Sequence, residues 1–390
     1  MDAGAGTSAQ RSARGVRGSP GKRPRWRQRD PGTGAAMMSH GTDSRSQSRG
    51  GYPAAKSPTG IIGTGSCLPS TVVTCDEMDR ALDARPGWTQ RATGIRERRR
   101  APAETSLTDL AVGAGREALR AAGVSPGEVR TVIVATVSPD PPVPAVAARV
   151  QDRLGATHAY AFDLNAACAG FIFALEVARP LVGVDVERPF VLVIGCDVWS
   201  RMTDPLDRQT WPLFGDGAGA VVLGPVKEGG FMATALATNG SLGDYAVGGF
   251  SPPLPGQAPD SAGHLFRMRG REISELMLEN LPKLVNTVTQ MAGVTVSDVD
   301  YLICHQANPK LVARCAEEAG FAGDRNVSTG EVFGNTVGAS VPLGIDAAVQ
   351  DGRLRQGSLV LLAAFGAGMS WGGTLISWSN PGARVEEPWT

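Results

Sequence analysis

A repeat within the chain constrains its fold more than any other feature. At a constant offset of 170 residues, Ala122-Gly123-Val124 reappears as Ala292-Gly293-Val294, Val129 as Val299, Ile133 as Ile303 and Pro139 as Pro309. Asn165 recurs as Asn335, Ala169 as Ala339, and the apolar run Val191 to Ile194 as Leu361 to Ala364. One register held over about 70 residues marks a duplicated architecture. It divides the chain into an N-terminal segment 1–57, a first half 58–228, a second half 229–380 and a tail 381–390.

Each half carries the same succession of elements. In the first, Ser106 with Asp109 three residues on has the form of a helix capping box, and Gly123 is a stop for that helix. Strands are expected at Thr131 to Val137, Ala159 to Leu164 and Phe190 to Gly195, with a helix from Gly170 to Ala178. In the second, a helix from Glu272 to Met291 contains Pro282, which should kink it, and strands follow at Tyr301 to His305 and Ser358 to Ala364. Continuous apolar strands alternating with helices belong in sheets covered on both faces. Two such halves packed together predict an α/β protein of five layers, α/β/α/β/α.

Composition bears on the ends and on the cysteines. Residues 1–57 hold 11 Lys/Arg against 3 Asp/Glu, and the remainder 27 against 35, so a neutral chain is basic at its start. That segment is Gly, Ser, Arg and Pro with almost no large apolar residues, which reads as a disordered basic extension. A basic arm can touch nucleic acid. The plainer reading is a start at Met37 or Met38, just before the folded region, so nucleic acid is not an expected partner. The segment has no apolar core of a secretory signal, and no apolar run reaches the roughly 18 residues of a membrane span. The six cysteines form no C-x-x-C pair, which fits reduced thiols in a cytoplasmic protein. Four histidines do not compose a multi-His metal site, so no metal is expected.

The chemistry gathers at three motifs. Asn165-Ala166-Ala167-Cys168-Ala169-Gly170-Phe171 puts one cysteine among small residues, after a strand and before a helix. The positive field of a helix N-terminus favours thiolate there, and small neighbours admit a thioester. His305-Gln306-Ala307-Asn308 and Gly334-Asn335-Thr336 lie in the second half. The repeat mates of Cys168, His305 and Asn335 are Gly338, Ala135 and Asn165, so each half holds only part of the set. All three fall at or just beyond strand ends, where α/β proteins build sites. Cys304, at strand spacing on the face opposite His305, reads as core.

At these residues the chain resembles the thiolase superfamily, in particular its β-ketoacyl-acyl carrier protein synthase III family. The resemblance spans about 58–380 and rests on GTGSCLP (63–69), ATGIRERR (92–99), NAACAGF (165–171), GDGAGA (215–220), HQANP (305–309), GNTVGAS (334–340) and FGAGMSWG (365–372). It implies the thiolase-like five-layered fold from two duplicated halves, and an acyltransferase that performs a decarboxylative Claisen condensation. Cys168 would take the acyl group of an acyl-CoA. Malonyl-ACP would then lose carbon dioxide, with His305 and Asn335 donating to the enolate oxygen. The amides of Cys168 and Ala367 would form the oxyanion hole. The product would start a fatty acid or polyketide chain, with no cofactor beyond the two substrates.

The same resemblance assigns outer contacts. Trp88 matches a tryptophan that stacks on CoA; the usual arginine position holds Ala92, with Arg91 one place earlier. Lys310, with Arg96, Arg98, Arg99 and Arg100, would form a basic rim for the acidic acyl carrier protein. Val143 stands where a bulky residue reaches across a dimer, which implies a longer or branched acyl pocket in a homodimer. Two other roles stay open: transfer of the acyl group to a hydroxyl or amine, and a silent partner subunit.

Overall fold

The computed structural model describes residues 57–139, 141–248 and 265–379, with the backbone of Met38–Ser39. The basic extension 1–57, apart from that pair and Ser57, and the tail 381–390 lie outside the described residues. Strands β1 (Thr59–Cys67), β2 (Val129–Ala135), β3 (Tyr160–Leu164), β4 (Phe190–Asp197) and β5 (Gly217–Pro225) form one sheet in the order β1-β5-β4-β2-β3. Strands β6 (Gly230–Thr238), β7 (Tyr301–Cys304), β8 (Asn326–Val327), β9 (Leu359–Gly366) and β10 (Ser370–Ser377) form the second as β6-β10-β9-β7-β8, with Met38–Ser39 paired outside β6. The two orders are the same. So are the directions: the first three strands of each order pair antiparallel and the last three parallel.

Side-chain alternation shows why the sheets are covered on both faces. In β4, Leu192, Ile194 and Cys196 face an outer core, while Val191 and Val193 face an inner one. In β9, Leu361, Ala363 and Phe365 face outward, and Val360, Leu362 and Ala364 inward. The outer layer on the first sheet includes α2 (Leu107–Ala122) and α3 (Val146–Leu154). On the second it includes α5 (Gly270–Ala292) and α6 (Pro309–Glu318). Between the sheets lie α4 (Gly170–Ala178) and α7 (Ser340–Gln350), buried on several sides. Each fully buried Val, Ile, Leu or Phe in these cores stabilises by roughly 1.5–3 kcal/mol over exposure. The five layers are thus present.

Local signals account for the helix ends. Ser106 caps α2 by accepting from the Asp109 amide, Asp109 returns the bond, and Gly123 ends the helix in left-handed backbone. α5 continues on both sides of Pro282. One expectation needs correction. Val191 to Ile194 do not match Leu361 to Ala364 structurally: Ile133 pairs with Val193 and Ile303 with Leu362, so β4 and β9 are equivalent at 169 residues, not 170. A slip of one residue turns every side chain to the other face, and only the sheet register fixes it.

Candidate active site

Cys168 sits in a one-turn 3-10 segment, Ala167–Ala169, running into α4. Asn165 Oδ1 accepts from the Ala167 amide at 3.1 Å, and Ala167 takes a left-handed φ of 50°. The second half repeats the device. Asn335 Oδ1 accepts from the Val337 amide at 2.9 Å, Val337 has φ 53°, and the turn Val337–Ala339 runs into α7. A positive φ strains alanine and strains β-branched valine more. The same Asn bond braces both turns.

His305 follows β7, its amide bonded to Ala363 of β9 at 2.9 Å. Its neighbours in the motif hold structure. Gln306 donates to the Cys304 carbonyl and accepts from Ser328 and the Gly330 amide. Asn308 caps α6. His305 Nδ1 lies 3.1 Å from Ser340 Oγ, and Ser340 in turn 3.3 Å from Thr336 Oγ1. With the serine donating, the imidazole proton sits on Nε2.

Cys168, His305, Asn335 and Ala367 line one cavity of about 960 Å³, although 199 residues separate the first from the last. β9 ends beside the Cys168 turn. A Cβ on Gly366 would lie 2.9 Å from the Cys168 amide nitrogen and 2.7 Å from that of Ala169, so only glycine permits the approach. Burial holds His305 down to about 4, so its imidazole is neutral near pH 7. Cys168 opens onto the cavity, yet burial and the Asp197 charge push its thiol up to about 12. A single-turn 3-10 segment precedes the helix here, and burial opposes the end field that favours thiolate. The thiol and the neutral imidazole line the same cavity.

The outer contacts divide. Trp88 lines the cavity from α1 (Trp88–Thr93), whose first amides are pinned by buried Asp79: Trp88 N at 3.0 Å and Thr89 N at 2.9 Å. Arg91 does not line the cavity; it folds back to the Pro86 carbonyl. Lys310 is exposed and donates to the Arg91 carbonyl. Val143 is 81% exposed and away from the cavity of its own chain. The expected basic rim is not continuous. Arg98 is fully buried against the Val73 and Pro212 carbonyls, Arg100 stacks on Trp211 at 4.5 Å, and Arg96 pairs with Glu331. Cys304 is core, as read.

Two groups of site residues escaped the sequence reading. Trp199, Phe214 and Phe266 meet edge to face at 5.4–6.3 Å, and Cys168 packs against their cluster with Leu213 and Val337. Arg208 shares the cavity with Trp88. These residues come from separate loops without periodicity. The one hint was that Phe214 abuts the GDGAGA turn.

Residues 289–378 match the family described as 3-Oxoacyl-[acyl-carrier-protein (ACP)] synthase III C terminal, and residues 162–240 match 3-Oxoacyl-[acyl-carrier-protein (ACP)] synthase III. The chain is 42% identical over 324 residues to beta-ketoacyl-[acyl-carrier-protein] synthase III 3 of Streptomyces coelicolor, covering 82% of this chain and 96% of that protein. It is 43% identical over 325 residues to an acetoacetyl CoA synthase of Streptomyces sp. (strain CL190), covering 82% and 98%. Among solved structures, the 3-oxoacyl-[acyl-carrier-protein] synthase III of Aquifex aeolicus VF5 superposes with a TM-score of 0.76 at 36% identity, covering 82% of this chain and all of that one. The priming beta-ketosynthase of the R1128 polyketide pathway superposes at 0.79 with 30% identity, covering 85% and all of that chain.

Proposed function

The chain belongs to the 3-oxoacyl-[acyl-carrier-protein] synthase III family, and from that premise we propose that it condenses an acyl primer with a malonyl thioester by decarboxylation, starting fatty acid or polyketide chains. Cys168 Sγ attacks the acyl-CoA carbonyl and CoA thiol leaves, giving an acyl-enzyme. The malonyl thioester of an acyl carrier protein then loses carbon dioxide. Its C–C electron pair becomes an enolate, held by His305 Nε2–H and Asn335 Nδ2–H. The enolate carbon attacks the acyl-Cys168 carbonyl, the C–S bond breaks, and Cys168 leaves as thiolate and takes a proton from water. The amides of Cys168 and Ala367 receive the oxyanion in both acyl steps. Trp88, with Arg208 beside it, takes the CoA end; Arg91 and Lys310 lie farther out, on the surface a carrier protein would meet.

The observation that carries this reading is the common cavity of Cys168, His305 and Asn335. Nothing in this scheme calls on a cofactor. The aromatic cluster of Trp199, Phe214 and Phe266 forms the acyl wall in the same chain, and Val143 would complete it in a homodimer. The exposed edge strand β3, with Tyr160 at 45%, is a surface for such pairing. Six cysteines held as thiols, not disulfides, fit the cytoplasm. The halves 58–228 and 229–380 are the duplicated units.

Incubation with acyl-CoA and malonyl carrier protein tests the reading. An acyl mass adduct absent in Cys168→Ala, with carbon dioxide release and a β-keto product, is expected. An adduct without carbon dioxide would point to transfer to a hydroxyl or amine. Malonyl-CoA belongs in the same experiment, since one 43% identical relative is named for a CoA-bound product.

A further inference from the structure

One buried ionisable group beyond these three joins the two halves at the site. Asp197, the last residue of β4, is fully buried. Its Oδ1 accepts from Thr136 Oγ1 (3.0 Å), the Val137 amide (2.9 Å), the Ser138 amide (3.2 Å) and Ser138 Oγ (2.8 Å). Its Oδ2 accepts from the Gly338 amide at 2.9 Å. One oxygen therefore holds the first-half loop that carries Val137 into the cavity. The other holds the second-half turn that follows Asn335. A buried carboxylate persists only when hydrogen bonds replace water, and here five donors do so; burial still pushes its carboxyl up to about 6.

The duplication shows what the Gly338 contact corresponds to. By sheet register Asp197 is the mate of Gly366, and Gly338 is the mate of Cys168. A Cβ on Gly366 would point at the Cys168 amide, as the Asp197 side chain points at the Gly338 amide. One copy fills the anion position of its turn with its own carboxylate. The other has glycine there, and Cys168 lines the cavity, so a substrate oxygen can take the equivalent place.

We propose that Asp197 is a positioning residue for the condensation step, clamping the Gly338 amide so that the turn presents Asn335 and, through Ser340, His305. The connection is short: Val337 N donates to Asn335 Oδ1, and Ser340 meets His305 Nδ1. The inference rests on the functional reading above. Acyl loading draws on the Cys168 turn, to which Asp197 makes no hydrogen bond; its charge only holds the Cys168 thiol up, so removing that charge does not hinder loading, and the two half-reactions respond differently.

In Asp197→Asn, the side-chain oxygen can keep facing Thr136 and Ser138. The new NH2 then meets the Gly338 N–H, donor against donor. Loading of Cys168 by acyl-CoA, followed by intact mass, should fall by no more than about threefold and can rise as the Asp197 charge is lost, while carbon dioxide release from the malonyl thioester falls about tenfold or more, the scale of one buried charge-assisted hydrogen bond. Gly338→Ala reaches the contact from the other side, its Cβ 3.0 Å from Asp197 Oδ2. It should show the same split, and the double variant should lose no more than the worse single. Equal loss of both steps, or unchanged condensation by folded Asp197→Asn protein, overturns the proposal. If Asp197→Asn does not fold, the split in Gly338→Ala decides. If the unsubstituted protein neither loads nor condenses, the functional reading fails by itself. The Gly338 amide exchange rate then judges the clamp: faster in the variant supports it, unchanged overturns it.

Discussion

At the residue scale, Cys168 and His305 are both shifted toward neutrality by the same cause. Burial disfavours thiolate in one and imidazolium in the other, and the pair meets substrate as thiol and imidazole. The neutral imidazole persists down to about pH 4, so the ring keeps one N–H donor and one acceptor nitrogen across the physiological range. His305→Ala should therefore reduce decarboxylation about 100-fold, the effect of one preorganised oxyanion donor, and spare acyl loading. Single-turnover measurement of the two half-reactions checks this, and an equal fall in both contradicts the division of labour. The motif letters that identify the site also divide by task. In HQANP, Gln306 and Asn308 hold backbone, and only their side-chain partners in the structure separate them from His305.

At the element scale, the decisive contact is strand against turn. β9 passes so close to Ala167–Ala169 that a methyl group on Gly366 would strike two backbone nitrogens, which cannot rotate away. Gly366→Ala should abolish the acyl adduct on Cys168, or displace the turn and lower the melting temperature; full acylation with unchanged melting would refute the contact's importance. The capping box of α2 was plain in the sequence because Ser106 and Asp109 act within one turn. The offset of β4 against β9 was not. A one-residue difference leaves the local apolar pattern intact, and only cross-strand pairing reveals which face each residue takes.

At the scale of the whole molecule, five cysteines share one property. Burial is the largest cause raising the thiols of Cys67, Cys75, Cys168, Cys304 and Cys315. The unfolded chain releases these protons near pH 9, while the folded chain retains them. The folded pKa is the higher, so stability is intact below pH 9 and falls as pH rises above it, by up to about 1.4 kcal/mol per pH unit for each thiol that stays protonated. Denaturant melts under reducing conditions at pH 8 and pH 10 measure the difference, and equal midpoints would show the thiols to be accessible.

The fold class and the side chains that meet in the cavity were legible because duplication, apolar strands and the Cys, His and Asn motifs are written in contiguous residues. The aromatic wall, Arg208, the scattering of the expected basic rim and the Asp197 clamp were not, since each joins segments far apart in the chain. Asp197 bonds Gly338 across 141 residues, and no local pattern encodes which distant amide a buried carboxylate will meet. Sequence by itself determined the layered fold and the Cys, His and Asn that share one cavity. Packing of one half on the other decided how those groups are charged, held and enclosed, because desolvation and hydrogen-bond geometry are properties of neighbours in space.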